Sequence, residues 1–242
     1  MITYKDIEAK AMPPEKKEQC KDDWFSYYIG RKITYIMTIP FLYTKLTPNH
    51  VTCLSIICLL IGFGLNCFAA STCMMVVVWT LYFMWSLLDG VDGNMARYRR
   101  QFSKMGDIYD TMGGYAAYVF MYFGFGIGAW LVPGRLSLIP GEYYIIIGAF
   151  SGISSIFPRL IYQKIKASFP DNKKADNVRK NKSFIRILEM NITSIAGGTM
   201  VLSLVAVLTR LMDVFTIFYA LLNVAKMVLS LYIIFRDMES ET

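Results

Sequence analysis

The segment Asp89-Gly-Val-Asp92-Gly93-Asn-Met-Ala96-Arg97 and its continuation Gly106-Asp107-Ile-Tyr-Asp110 lie between two long apolar stretches. If the first segment is helical, its two aspartates, the glycine and the alanine lie at i, i+3, i+4 and i+7, on one face. Carboxylates beside a membrane are costly unless they are paired, hydrated or bound to a metal. Oxygen ligands suit a hard cation, so this stretch predicts a Mg²⁺ or Mn²⁺ site.

The composition is typical of an integral membrane protein. Of the 242 residues, 55% are hydrophobic and 18% are charged, and the mean hydropathy is +0.41. Residues 51–88 carry no charged side chain, which is enough for two membrane spans with a turn near residues 70–72. Further apolar stretches at 111–134, 143–158, 190–209 and 214–235 predict an all-α membrane protein with six transmembrane helices.

The chain is expected to divide into three parts. Residues 1–50 form a cytoplasmic N-terminal segment, residues 51–235 form the six-helix catalytic domain, and residues 236–242 form a cytoplasmic tail. Residues 1–22 are polar and are expected to be solvated, whereas residues 24–46 mix aromatic and basic side chains in the manner of an interfacial helix. Thr47 as a cap and Pro48 at an early helical position predict a helix start.

The distribution of lysine and arginine predicts the orientation. With a cytoplasmic N-terminus, the basic residues before residue 51, those at 97–104 and those at 159–186 all lie inside. Only Arg135 and Arg210 lie on the opposite side, and Lys226 falls within the sixth span. The net charge of +7 is therefore explained by topology and contact with anionic lipids rather than by nucleic-acid binding.

The order Asp89-x-x-Asp92-Gly93-x-x-Ala96-Arg97, followed after eight residues by Gly106-x-x-x-Asp110, resembles the signature of the CDP-alcohol phosphatidyltransferase family. The string Thr47-Pro48-Asn49-His50-Val51-Thr52 is similar to the family's Thr-Pro-Asn-x-x-Thr sequence before its first span. The family has a fourth aspartate four residues after the third, and this sequence has Gly114 there.

The resemblance implies a function and a site. It implies transfer of a phospho-alcohol group from a CDP-linked donor to a lipid or small-molecule acceptor, with release of CMP, in phospholipid or related lipid biosynthesis. It implies that Asp89, Asp92 and Asp110 hold Mg²⁺ or Mn²⁺. It further implies that Gly93, Ala96 and Arg97 contact the nucleotide and its phosphates. Arg159, Lys164 and Lys226 are candidates for binding the acceptor. The oligomeric state is left open, with a homodimer as one arrangement.

Gly114 leaves three hypotheses about the last step, because the family is thought to use that aspartate as its general base. In the first, Asp107 supplies the missing carboxylate and shares the catalytic site with Asp110. In the second, the acceptor is an anionic lipid phosphate that needs no base. In the third, the chain is a catalytically weak nucleotide-binding membrane partner. A transporter is less consistent with the sequence, because the charges cluster at one mouth.

Overall fold

The computed structural model describes residues 2–13, 17–18, 20–168 and 184–239. The protein is 83% helical, and the described residues contain no strand, as the sequence predicted. A π-helical turn over Ser26–Gly30 leads directly into the second helix. The helices are α1 (Tyr4–Ala11), α2 (Arg31–Leu42), α3 (Pro48–Asn66), α4 (Thr72–Arg99), α5 (Lys104–Leu131), α6 (Gly141–Ser168), α7 (Phe184–Thr193), α8 (Gly198–Thr209) and α9 (Met212–Glu239).

Five helices among the described residues, α3, α4, α5, α6 and α9, are long and apolar enough to cross a membrane. The helix α6 continues past Pro158, where the sequence predicted its end. The expected fifth span over 190–209 is not one helix, because α7 and α8 meet at an angle of 51°. At this break the carbonyl of Ile192 accepts hydrogen bonds from Tyr219 Oη at 2.8 Å and Thr199 Oγ1 at 3.1 Å. Two side chains of the protein thus supply hydrogen bonds to a backbone carbonyl that lipid could not supply.

The two ends of the bundle are fixed by polar contacts. At one end, Arg99 donates to the carbonyls of Leu42 at 3.0 Å and Thr44 at 2.9 Å, so the last turn of α4 holds the chain between α2 and α3. At the other end, the fully buried Asp213 of α9 accepts from the amides of Leu136 and Ser137 at 3.1 and 2.9 Å. The starts of α3 and α5 and the end of α4 therefore lie together, away from the loop between α5 and α6.

The core between the long helices is packed with aromatic and sulfur-containing side chains, including the fully buried Met121 and Met200. Glycine allows a close contact between α5 and α6: a Cβ atom at Gly126 would lie 3.1 Å from the Cα of Gly148. Small residues at such contacts let helix backbones approach in a membrane, where apolar side chains gain little by leaving lipid.

The N-terminal segment is more ordered than its polar composition predicted. A capping box of Thr3 and Asp6 starts α1, and Ile7 and Ala11, one turn apart, are fully buried. These side chains pack with Met12 and Tyr35, so α1 covers α2. The expectation that residues 1–22 are solvated is wrong for one face of α1, because Ile7 and Ala11, at i and i+4, share the side that packs on α2, whereas its polar side is exposed. The helical structure of α2 agrees with the sequence, and its position along the lipid surface remains a prediction.

Candidate metal centre

Three carboxylates from two helices meet at one end of the bundle. Asp89 and Asp92 lie one turn apart on α4, and Asp110 lies in the second turn of α5. One carboxylate oxygen from each lies within 4.8 Å of the others. At that separation two ionised carboxylates repel each other by about 3 kcal/mol at an effective dielectric constant of roughly 20. A hard divalent cation would reverse this repulsion, and the all-oxygen donor set fits Mg²⁺ or Mn²⁺.

Asp92 is held in place by a threonine of the preceding helix. Its carboxylate is buried, and its Oδ2 lies 2.5 Å from the Oγ1 of Thr52 in α3. Thr47 caps α3, as predicted, and Pro48 follows as the first helical residue. Thr52 is absent from the residues that the sequence assigned to the site, although the Thr-Pro-Asn-x-x-Thr string contains it.

The start of α5, which carries Asp110, packs against the start of α3. Ser103 caps the helix by accepting from the amide of Gly106 at 2.9 Å. A Cβ atom at Gly106 would lie only 3.0 Å from the Oδ1 of Asn49. Gly106 therefore permits a close contact between the first turns of α3 and α5, and Asp110 follows one turn later.

Arg97 lies one turn after Gly93 on α4, the helix that carries Asp89 and Asp92. A Cβ atom at Gly93 would lie 3.1 Å from both terminal nitrogens of Arg97, so the glycine provides the space that the guanidinium occupies. The same guanidinium donates to the Oδ1 of Asn94 at 3.1 Å. Ala96 is half-buried one turn after Asp92. Gly93, Ala96 and Arg97 thus lie within two turns of Asp92 on the helix that carries two of the carboxylates.

Asp107 and Gly114 occupy different surroundings on α5. Asp107 is exposed and lies at a laterally open, mainly apolar groove of about 900 Å³ between α5 and α6, which Tyr115, Ile156 and Gln163 also line. Asp107 is not one of the three residues whose oxygens converge. It lies three residues before Asp110, so the two positions are about 60° apart around the axis of α5. A Cβ atom at Gly114 would meet no atom within 4 Å. Position 114 therefore has room for a larger side chain.

The three basic candidates for acceptor binding make separate contacts. Arg159 of α6 lies over the ring of Tyr118, 4.0 Å from its centroid, and donates to the Tyr118 hydroxyl at 2.9 Å. Lys226 of α9 forms an ion pair with Glu189 at 2.8 Å. Lys164 is exposed near the end of α6. The basic residues at 169–183 lie outside the described part of the chain.

Comparison with models of known protein families matches residues 45–228 to the family described as CDP-alcohol phosphatidyltransferase. The match covers more than half of the chain and includes all three converging aspartates. A search of curated proteins finds no match.

The carboxylate cluster leads to a prediction about metal binding. Asp89→Asn, Asp92→Asn and Asp110→Asn should each weaken Mn²⁺ binding about tenfold or more, because each removes a charged ligand from a three-carboxylate set. Electron paramagnetic resonance of the detergent-solubilised protein measures free Mn²⁺ directly. Glu142→Gln, an exposed carboxylate at the opposite end of the bundle, is the matched control. Unchanged Mn²⁺ affinity in any two of the three aspartate variants would refute the metal assignment.

Proposed function

The chain belongs to the CDP-alcohol phosphatidyltransferase family, and from this premise we propose that it transfers a phospho-alcohol group from a CDP-activated donor to an acceptor hydroxyl at the cytoplasmic face of a membrane. The observation that supports the proposal most is the convergence of Asp89, Asp92 and Asp110 within 4.8 Å at one end of five membrane-length helices. The site places charged side chains at the end of long apolar helices, where a water-soluble nucleotide and a membrane-bound substrate could meet.

In the proposed reaction, the acceptor oxygen forms a bond to the phosphorus that carries the alcohol group. The bond from that phosphorus to the CMP oxygen breaks, CMP leaves as an anion, and the acceptor loses its hydroxyl proton. Asp89, Asp92 and Asp110 would hold Mg²⁺ or Mn²⁺, which when bound neutralises phosphate charge. Thr52 keeps the carboxylate of Asp92 in position.

The arginine of the motif supplies a second positive group. Its guanidinium lies over Gly93, on the helix that carries Asp89 and Asp92. A guanidinium binds a phosphate through charge-assisted hydrogen bonds, so Arg97 is proposed to bind a phosphate of the donor. Gly93 accommodates this guanidinium, and Ala96 leaves a low surface beside it, against which the nucleotide is proposed to rest. Arg159, Lys164 and Lys226 remain candidates for contact with the acceptor.

The acceptor proton needs a destination, and Gly114 cannot receive it. We favour Asp107, because it is a solvent-exposed carboxylate one turn before Asp110. An anionic lipid phosphate as acceptor would carry no such proton, and the product would then be a pyrophosphate-linked lipid. The third candidate, a nucleotide-binding partner without appreciable turnover, is supported by the same glycine.

The proposed function is tested by metal-dependent release of CMP. The purified protein is incubated with CDP-diacylglycerol or other CDP-alcohols, each combined with hydroxyl-bearing or phosphate-bearing acceptors. We expect CMP release with at least one pair, and loss of release in Asp92→Asn. CMP release that requires a phosphate-bearing acceptor would favour the second candidate. Nucleotide binding without CMP release from any pair would refute the transferase proposal and leave the partner protein.

The identity of the base is tested at positions 107 and 114. With an alcohol acceptor, Asp107→Asn should lower kcat by about 10²–10⁴-fold, because general-base assistance is lost. Gly114→Asp should restore part of this activity in the Asp107→Asn background, since position 114 has room for a carboxylate. The control is again Glu142→Gln. Full activity of Asp107→Asn with an alcohol acceptor would remove Asp107 as the base.

The proposed orientation is tested by cysteine labelling of intact cells. Ser137→Cys, in the loop after α5, should react with an impermeant maleimide, whereas Ala175→Cys, in the basic segment, should react only after permeabilisation. The five native cysteines, none of which forms a disulfide, are first replaced by serine. The reverse labelling pattern would place the carboxylate site outside the cytoplasm.

A further inference from the structure

Asn94 lies inside the aspartate motif at a position that the family signature leaves variable. Its side chain is 2% exposed and is enclosed between α4 and α2. Its Nδ2 donates to the hydroxyls of Thr34 at 3.4 Å and Thr38 at 3.3 Å. A buried amide with partners on both sides is fixed in orientation, because leaving any of these groups unpaired costs free energy.

The two threonine hydroxyls determine which way this amide faces. Thr34 Oγ1 donates its proton to the carbonyl of Arg31 at 3.0 Å, and Thr38 Oγ1 donates to the carbonyl of Thr34 at 2.6 Å. Each hydroxyl has a single proton, so both present only lone pairs to Asn94. The NH₂ group of the amide must therefore face α2, and its oxygen must face the opposite way.

That oxygen accepts the hydrogen bond from Arg97. Asn94 Oδ1 lies 3.1 Å from Arg97 Nη2, and Arg97 Nε is buried without a hydrogen-bond partner among the described residues. The guanidinium is held over Gly93 with part of its hydrogen-bonding capacity unused.

The distance between α2 and α4 depends on a second glycine of the motif. A Cβ atom at Gly90 would lie 2.7 Å from the methyl carbon of Thr34. The absence of a side chain there lets α2 approach until its threonines reach Asn94. In this way an element outside the six predicted spans is connected to Asn94 and, through it, to Arg97 of α4.

We propose that Asn94 is a positioning residue, which α2 orients through Thr34 and Thr38 so that Arg97 is held ready for the phosphate of the CDP-linked donor. The proposal rests on the proposed function in taking that phosphate as the ligand of Arg97. If the guanidinium is already fixed before the donor binds, less side-chain entropy is lost on binding. Loss of this arrangement should therefore lower donor affinity more than it lowers the rate of the chemical step.

Two variants remove this arrangement in different ways. Asn94→Leu removes both sets of hydrogen bonds while keeping the number and branching of the side-chain heavy atoms. The double variant Thr34→Val with Thr38→Val keeps Asn94 and the shape of α2 but removes the acceptors that fix the amide. Thr80→Val is the matched control, because the Thr80 hydroxyl also bonds to its own helix, at Val76 O 2.9 Å away, but on an exposed face of α4.

The measurements are donor KM, kcat, the midpoint of thermal unfolding, and the affinity for CDP in the presence of Mn²⁺ by calorimetry. Both variants should weaken CDP binding and raise donor KM about tenfold, with kcat changed less than threefold. Thr80→Val should leave both quantities unchanged. In an Arg97→Ala background, Asn94→Leu should cause no further loss of CDP affinity, because its effect is transmitted through the arginine.

The outcomes separate this proposal from the one that it rests on. Absence of CMP release from the unmodified protein would refute the transferase function, while the CDP affinities would still decide the role of Asn94. Unchanged CDP affinity in a folded threonine double variant would refute the positioning role. An equal loss on Asn94→Leu with and without Arg97 would also refute it, since a purely structural role predicts that result.

Discussion

Electrostatic repulsion among three carboxylates is the constraint around which this protein is arranged. Oxygens of Asp89, Asp92 and Asp110 converge within 4.8 Å beside a membrane, a geometry that is unfavourable without a cation. Contacts with α3 hold the carboxylates in this arrangement: the Thr52 hydroxyl lies 2.5 Å from Asp92 Oδ2, and Gly106 lets the helix of Asp110 pack closely on α3. A metal bound there would meet its ligands already assembled, so little ordering would accompany binding.

The same end of the bundle is supported from outside by the N-terminal helices. Arg99 bonds to carbonyls at the end of α2, where the negative end of the helix dipole favours a cation. The segment that leads into α2 reaches α7, since Ser194 Oγ donates to Asp23 Oδ2 at 2.7 Å and the Trp24 amide donates to Asn191 at 2.8 Å. The N-terminal segment therefore contacts both the helix of the carboxylates and the break between α7 and α8.

Gly114 and Asp107 are the two positions on α5 at which the proposed reaction differs from the family pattern. The position of the missing aspartate has open space, so packing does not explain the glycine. Asp107 lies instead at the groove between α5 and α6, on a neighbouring face of the helix. If Asp107 is the base, the acceptor hydroxyl must lie away from the place that it would occupy beside an aspartate at position 114. A phosphate acceptor would need no base. Which of these two reactions takes place depends on which acceptor can enter the groove between α5 and α6.

The sequence by itself determined the all-α class, the long apolar helices, the start of α3 at Thr47 and the three converging aspartates. The first three follow from local properties, namely hydropathy over about 20 residues and capping chemistry. The i, i+3 spacing places only Asp89 and Asp92 on one helix face, and the third aspartate, Asp110, is implied by the family resemblance. Only the tertiary structure decided the packing of one face of α1, the break between α7 and α8, and the hydrogen bonds of Thr52 and Asn94. Those features depend on contacts between residues far apart in the chain, 40 residues for Thr52 with Asp92 and 60 for Thr34 with Asn94. No periodicity in the sequence encodes such distances, because they are set by how closely glycine and threonine allow neighbouring helices to pack.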